Sequence, residues 1–319
     1  MGTQTEMDRQ VEAAQAALLA RHAPDTVVRR VRWSQGETQV LELGTGSPLL
    51  LVHGAFSDAS IWVPILPELA RNHRVLAVDL PGHGLAEPFD YTGVDLLELA
   101  RTFLRDILDA LEVRSADLVA SSTGGLFSVV FAIDQPDRVS RLVLVGAPAG
   151  VHRAVPLQLR VLGVMSLAPL IGPRLARFAT SHLTRDSNRK FWGKILVTHP
   201  EHLGDELLDE DVVQARRNAD GHLSLLHRLG NFRGLRRRLI LGERWQALKV
   251  PTLFLWGERD AFFGGPEHAE ALAARNSNLR VIRIAGAGHV AWIDDPERVV
   301  DEIEHFLEAQ PSTREWTAT

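Results

Sequence analysis

The chain contains no cysteine among its 319 residues. Disulfides, iron–sulfur clusters, thiolate zinc sites and a cysteine nucleophile are thereby excluded. Lysine is nearly as scarce: Lys190, Lys194 and Lys249 stand alone, and the rest of the 35 positive side chains are arginine. Lysine Schiff-base chemistry has correspondingly few candidates. Long apolar runs are missing too. The longest, residues 161–171, is about half of the ~20 residues that a membrane-spanning helix needs, so no membrane span is expected. Residues 1–10 show no basic patch leading into an apolar segment, and Glu6 occupies the position where a myristoylation signal wants Ser or Thr. These absences lead to the expectation of a cytoplasmic protein. The formal charge of −5 carries no general attraction to nucleic acid, so no nucleic-acid partner is expected.

What is present reads as globular. Hydrophobic residues make up 45% and charged residues 24%, close to the average for folded domains. Residues 6–20 carry a helical pattern, expected as an extension packed on the outside. Residues 27–33 and 39–43 alternate across a short Ser-Gln-Gly link, which predicts an antiparallel hairpin. Residues 48–52 form a continuous aliphatic run, the signature of a strand buried on both faces. Helical spacing follows over 61–71. The alternation then repeats: strand 74–80, helix 95–111, strand 116–120, helix 124–133, strand 141–145. Strands alternating with helices imply βαβ crossovers and a mostly parallel sheet flanked by helices, an α/β fold. From 150 to 246 the rhythm becomes helical with no convincing strand. It resumes with strands at 252–256 and 279–284 and a closing helix at 295–309, before a polar tail from Pro311.

The segment Leu118-Val119-Ala120-Ser121-Ser122-Thr123-Gly124-Gly125 carries the most chemistry. It sets Ser122 between a hydrophobic strand and a helix, with small residues two before and two after. That spacing is a nucleophile elbow with Ala120 in place of the usual first glycine. A serine in such a turn projects Oγ outward, while the helix N-terminus supplies N–H donors. Small Ser/Gly turns also serve packing, so the motif needs partners. Asp260 follows the strand at 252–256, and His289 follows the strand at 279–284 in Ala285-Gly286-Ala287-Gly288-His289. Both fall beyond the carboxyl ends of parallel strands, in the chain order serine, acid, histidine. Glu258, nearer its strand, is the alternative acid. The loop His53-Gly54-Ala55-Phe56 follows the strand at 48–52, and the backbone N–H groups of Ala55 and Thr123 are the natural oxyanion-hole donors. Phe56, Ser121 and Met165 are candidate pocket residues.

These motifs together resemble the α/β-hydrolase superfamily over residues 48–309, specifically its serine hydrolases with a helical lid. Ser121 stands where that family often has histidine. The resemblance implies a core built from residues 1–149 and 247–319, with 150–246 as a helical cap over the pocket. It implies catalysis by Ser122, Asp260 and His289, no cofactor and no metal. The expected substrate is a small to medium carboxylic ester with an apolar acyl group. Carbon–carbon bond hydrolysis, lactone hydrolysis, perhydrolysis and a non-catalytic binding role are the alternatives on this scaffold. A serine nucleophile argues against the dehalogenase and epoxide hydrolase branches, which use Asp there.

The remaining polar features read as structural. Asp294 and Asp295 are expected to cap the last helix before Pro296. Asp79 and His83 are expected to brace a loop near the site. His199, His202, His222 and His227 are expected as surface histidines, and Arg236–Arg238 as a solvated face.

Overall fold

The computed structural model describes residues 2–157, 160, 172–231 and 233–309. A helix α1 (Gly2–His22) precedes the hairpin β1 (Val27–Trp33) and β2 (Gly36–Leu43). The alternating units then run β3 (Ser47–Val52), α2 (Leu66–Leu69), β4 (His73–Val78), α3 (Leu96–Ala110), β5 (Ala116–Ala120), α4 (Ser122–Asp134) and β6 (Val139–Val145). Between β6 and the next core strand lie α5 (Gly172–Ser181), α6 (Arg185–Ile195), α7 (Asp205–Arg217) and α8 (Ala219–Leu229). A two-residue ladder follows, β7 (Gly230–Asn231) on β8 (Gly234–Leu235). The chain closes with β9 (Thr252–Gly257), α9 (Pro266–Ala273), β10 (Leu279–Ile284), α10 (Ala291–Asp294) and α11 (Pro296–Glu308).

Eight strands form one sheet in the order β1-β2-β4-β3-β5-β6-β9-β10. β2 pairs antiparallel with both β1 and β4; β4, β3, β5, β6, β9 and β10 are mutually parallel. The period of two along each strand divides the core into two layers. Leu50, Val52, Leu76, Val78, Leu118 and Leu144 join α3 and α4 on one face. Leu49, Leu51, Val75, Ala77, Val119 and Val143 join α2 and α11 on the other. Each fully buried Leu or Val contributes roughly 1.5–3 kcal/mol of transfer free energy. With both faces covered, the central strands read as unbroken aliphatic runs.

Several expectations need correction. The span 61–71 is not one helix: a 3-10 turn (Ala59–Trp62) capped by Asp58 is followed by the single turn α2, which carries Pro67 in its first positions. Trp62 stacks on Trp292 at 4.3 Å, and the Trp292 Nε1 donates to the Ile61 carbonyl, so tertiary contacts set this path. The helix after β5 begins at Ser122, two residues earlier than its apolar spacing suggests. The helical stretch includes the short β7–β8 ladder, and α9 carries too few apolar residues to announce itself. Helix α1 is packed on the outside of the core, as its pattern suggests. Val11, Leu18 and Leu19 are buried, Gln15 donates to Ser60 Oγ, and Arg217 of α7 pairs with Asp8. Met165 and the run 161–171 lie outside the described residues, as does the tail from Pro311. Among the described residues no helix is long and apolar enough to cross a membrane.

Candidate active site

Strands β3, β5, β6, β9 and β10 end at the same edge of the sheet, and the loops beyond them converge there. Backbone compression around Ser122 is the first physical sign of a site. Ser122 is the first residue of α4 with φ +51, a left-handed conformation that costs a non-glycine residue of order 1–3 kcal/mol. The elbow is seated by close backbone approach. A Cβ on Gly124 would lie 2.3 Å from the His53 carbonyl oxygen and 2.4 Å from that of Val52, so only glycine fits. Ser121 is buried, and its N–H donates to the Val52 carbonyl. Thr123 is also buried, and its N–H falls in the first turn of α4, where no intrahelical acceptor exists.

The acid and the base meet as a pair. Asp260 Oδ2 lies 2.8 Å from His289 Nδ1, with both side chains buried. Ala147 N–H donates to the same oxygen at 2.9 Å, and Phe262 N–H donates to Oδ1 at 2.8 Å. Three donors therefore hold the carboxylate, and the imidazole must present its proton on Nδ1. Phe262 stacks on the His289 ring at 4.0 Å and covers one face of it. Gly146 (φ +74) completes this edge: a Cβ there would meet the His289 carbonyl at 2.2 Å and lie 3.6 Å from Ser121 Oγ. His289 and the elbow thus border the same glycine, although no hydrogen bond joins Ser122 to His289 among the described residues. Glu258 is exposed and accepts from Gly286 N–H, away from His289.

The loop after β3 faces the elbow. A Cβ on Gly54 would lie 2.9 Å from Ser122 Cβ and 3.5 Å from its Oγ. Ala55 is half-buried, and Phe56 follows at φ +66 with its ring 38% exposed. His53 is a brace: Nε2 accepts from Leu80 N–H, so Nδ1 carries the proton and donates to the Gly54 carbonyl. Burial and the neighbouring His83 hold its pKa well below the usual imidazole value. His83 donates from Nδ1 to the Pro81 carbonyl, and burial lowers its pKa to about 4. Asp79 braces the same loop by accepting from Ala59 and Leu85 N–H.

Sequence reasoning missed four features. Asp294 does not cap the last helix; that role falls to Asp295 alone. Asp294 is buried and accepts from Thr198, His199 and Gly288 N–H, so it anchors the turn that carries His289. His222 is not a surface residue. It is buried 4.7 Å from the His83 ring and 5.6 Å from the Phe56 ring, and its pKa is lowered by burial and by the two neighbouring histidines. Asp58 and Glu210 are buried carboxyls between the β3 loop and α7. His199, Glu201 and His202 do form a cluster, with ligand-type atoms within 4.8 Å of one another on the exposed surface. The carboxylate between those histidines was visible as His-Pro-Glu-His, whereas nothing local marks a buried Asp294 or His222.

Fold and site together define the α/β-hydrolase class: a mostly parallel eight-stranded sheet with a serine elbow and an acid–histidine pair beyond its strand ends. The chain belongs to the alpha/beta hydrolase family, whose model matches residues 49–302. It is similar to a 2-hydroxy-6-oxo-2,4-heptadienoate hydrolase of Pseudomonas putida, with 43% identity over 35% of this chain and 41% of the relative. The chain thus matches less than half the length of that curated relative. It is also similar to a 2-hydroxy-6-oxononadienedioate/2-hydroxy-6-oxononatrienedioate hydrolase of Paraburkholderia xenovorans, with 27% identity over 86% of this chain and 94% of the relative. Among solved structures, a Bacillus subtilis carboxylesterase superposes with a TM-score of 0.76 at 18% identity, covering 95% of this chain and 99% of that one.

Proposed function

We propose that the protein is a serine hydrolase cleaving a small to medium carboxylic ester through an acyl-enzyme on Ser122. The observation that carries this reading is the buried Asp260–His289 pair at 2.8 Å beside a strained elbow serine. His289 Nε2 takes the Ser122 proton as Oγ adds to the ester carbonyl. The negative charge on the tetrahedral oxygen is met by the N–H groups of Ala55 and Thr123. The intermediate collapses, the C–O bond breaks, and His289 returns the proton to the leaving alcohol. Water then repeats the sequence on the acyl-enzyme, releasing the acid and free Ser122. Asp260 keeps the imidazole in the productive tautomer throughout. Residues 150–246 act as the cap, with Ser121 and Phe56 on the core side of the pocket and Met165 within the cap. The reaction requires no cofactor and no metal.

Carbon–carbon bond hydrolysis is the second reading, favoured by the two dienoate hydrolases to which the chain is similar. It uses the same serine and histidine but needs a donor set for a dienoate carboxylate. One experiment separates the two. Purified protein is offered short p-nitrophenyl esters and a coloured 2-hydroxy-6-oxo-dienoate, with Ser122→Ala as control. Ester hydrolysis faster than dienoate bleaching, and lost in the variant, supports the first reading; the reverse ranking supports the second. Equal activity in wild type and variant overturns both.

A further inference from the structure

Helix α7 docks on the core through a line of polar side chains one or two turns apart. Gln214 is fully buried and donates from Nε2 to the Phe56 carbonyl at 3.0 Å. Arg217 donates to the carbonyls of Gly84 and Ala86, and Asn218 to that of Gly84. One turn before Gln214 stands Glu210, 1% exposed, and opposite it stands Asp58, 2% exposed. Asp58 Oδ1 accepts from Ser60 N–H and caps the 3-10 turn that follows the β3 loop. Its Oδ2 and the Glu210 Oε1 are both buried and have no hydrogen-bond partner among the described residues.

Two ionised carboxylates cannot occupy such a place. Each would lose its hydration and face a like charge inside the same buried contact. Helix α7 packs on the 3-10 turn that Asp58 caps, so the two buried carboxyls are charge neighbours, and the charge of Asp58 raises the affinity of Glu210 for a proton. One proton between them satisfies both orphan oxygens and converts repulsion into a charge-assisted bond.

We infer that Glu210 and Asp58 share one proton and that this pair, with Gln214, makes α7 the positioning element for the loop that presents the Ala55 N–H. The loop needs such support. Phe56 holds φ +66 with a bulky side chain, its carbonyl accepts from Gln214, and the shared proton would tie Asp58, two residues further on, to Glu210. Neither α7 residue is catalytic; both act through the backbone of residues 55–58. The catalytic half of the inference rests on the ester-hydrolase reading, whereas the shared proton does not.

The surroundings decide the direction of the pH response. Asp79 lies next to Asp58 and accepts from Ala59 N–H; Asp211 of α7 accepts from Asn188 Nδ2, Trp192 Nε1 and Gln214 Nε2. Arg217 is the nearby cation and is itself paired with Asp8 of α1. From α1 the other facing groups are the neutral Gln15, hydrogen-bonded to Ser60, and Arg21 and His22 at the half-buried Glu206. Burial, Asp58 and Asp211 hold the Glu210 pKa well above the ordinary carboxyl range, and burial raises that of Asp58. A carboxyl raised in the folded state stabilises most fully below its unfolded pKa, near 4.5 for Glu, and that stability is lost as pH rises toward the folded value.

The test uses the full chain with Glu210→Gln, Glu210→Ala and Asp58→Asn. Glutamine keeps a donor toward Asp58 without a titrating proton, and asparagine at 58 donates to an ionised Glu210. Melting temperature is followed from pH 5 to 9.5, and kcat and KM for p-nitrophenyl acetate over the same range. The wild-type melting temperature is expected to fall on the alkaline side, with Glu210→Gln or Asp58→Asn moving that fall up by at least one pH unit. The kcat profile should follow the same shift while KM stays within about twofold, and Glu210→Ala should lower kcat at neutral pH about tenfold. Melting and kcat curves of Glu210→Gln and Asp58→Asn that superimpose on wild type overturn the inference, as does Glu210→Gln behaving like Glu210→Ala. If wild type hydrolyses no ester and resists a fluorophosphonate probe, the ester reading fails. The melting curves then decide the shared proton by themselves.

Discussion

Asp260→Asn is the substitution whose outcome the structure dictates most tightly. Three donors converge on two carboxylate oxygens: His289 Nδ1 and Ala147 N–H on Oδ2, Phe262 N–H on Oδ1. An asparagine offers one oxygen and one NH2 group. If the oxygen turns toward His289, the amide NH2 confronts Phe262 N–H and leaves a buried donor unpaired, at a cost of about 1–3 kcal/mol. If it turns the other way, NH2 confronts Ala147 N–H and forces His289 Nδ1 to become an acceptor. The proton then sits on Nε2, the atom that has to receive the Ser122 proton. The wrong tautomer lowers kcat by about 10⁴, equivalent to roughly 5.4 kcal/mol of transition-state stabilisation at 1.36 kcal/mol per decade. The assay is kcat/KM on p-nitrophenyl butyrate together with the rate of fluorophosphonate labelling, which needs no substrate preference. Glu258→Gln is the control and should stay within about twofold of wild type, because Glu258 is exposed and accepts from Gly286 N–H. A folded Asp260→Asn protein retaining more than about a tenth of wild-type activity would refute the assignment, as would a larger loss from Glu258→Gln.

Three further outcomes follow from the geometry. Gly124→Ala drives a Cβ to 2.3 Å from the His53 carbonyl and should lower stability in urea by about 2–3 kcal/mol while slowing Ser122 labelling. Asp294→Ala leaves the N–H groups of Thr198, His199 and Gly288 without their acceptor; a loss of about 3 kcal/mol and a fall in kcat larger than any change in KM are expected. On the acid side the buried neutral His83, lowered from 6.5 to about 4, stabilises the fold fully above pH 6.5 and loses that contribution as pH falls toward 4. His83→Asn, which keeps a donor toward the Pro81 carbonyl, should therefore lose less stability than wild type between pH 6.5 and 4, by up to about 3 kcal/mol in thermal melts.

Much of the core was legible because period-two alternation needs no distant partner to be recognised. Leu49 to Val52 announce a doubly buried strand, and β5 and β10 fall where their patterns place them. The order Ser122, Asp260, His289 was equally readable, since each sits just beyond a strand end. The rest depended on contacts between remote segments. No local pattern says that Asp294 turns back to Gly288, that His222 lies on His83, or that Glu210 finds Asp58 across 152 residues of chain. The 61–71 span failed for the same reason, because the stacking of Trp62 on Trp292 outweighs the intrinsic helical spacing there.

Helix α1 has a consequence for the order in which the molecule assembles. Its composition, rich in alanine and leucine, favours helix formation on local propensity alone, within about a microsecond of the segment being free to fold. Its docking partners come much later in the chain: Gln39 is 24 residues on, Ser60 45 and Arg217 209. At a ribosomal pace of about 5–20 residues per second, α1 waits at least ten seconds or so for the last of them. During that interval Val11, Leu18 and Leu19 have no native surface to cover them completely. A helix able to form early is thus among the later parts to be locked in place, and Val11, Leu18 and Leu19 stay open to a nascent-chain chaperone until Arg217 has been made.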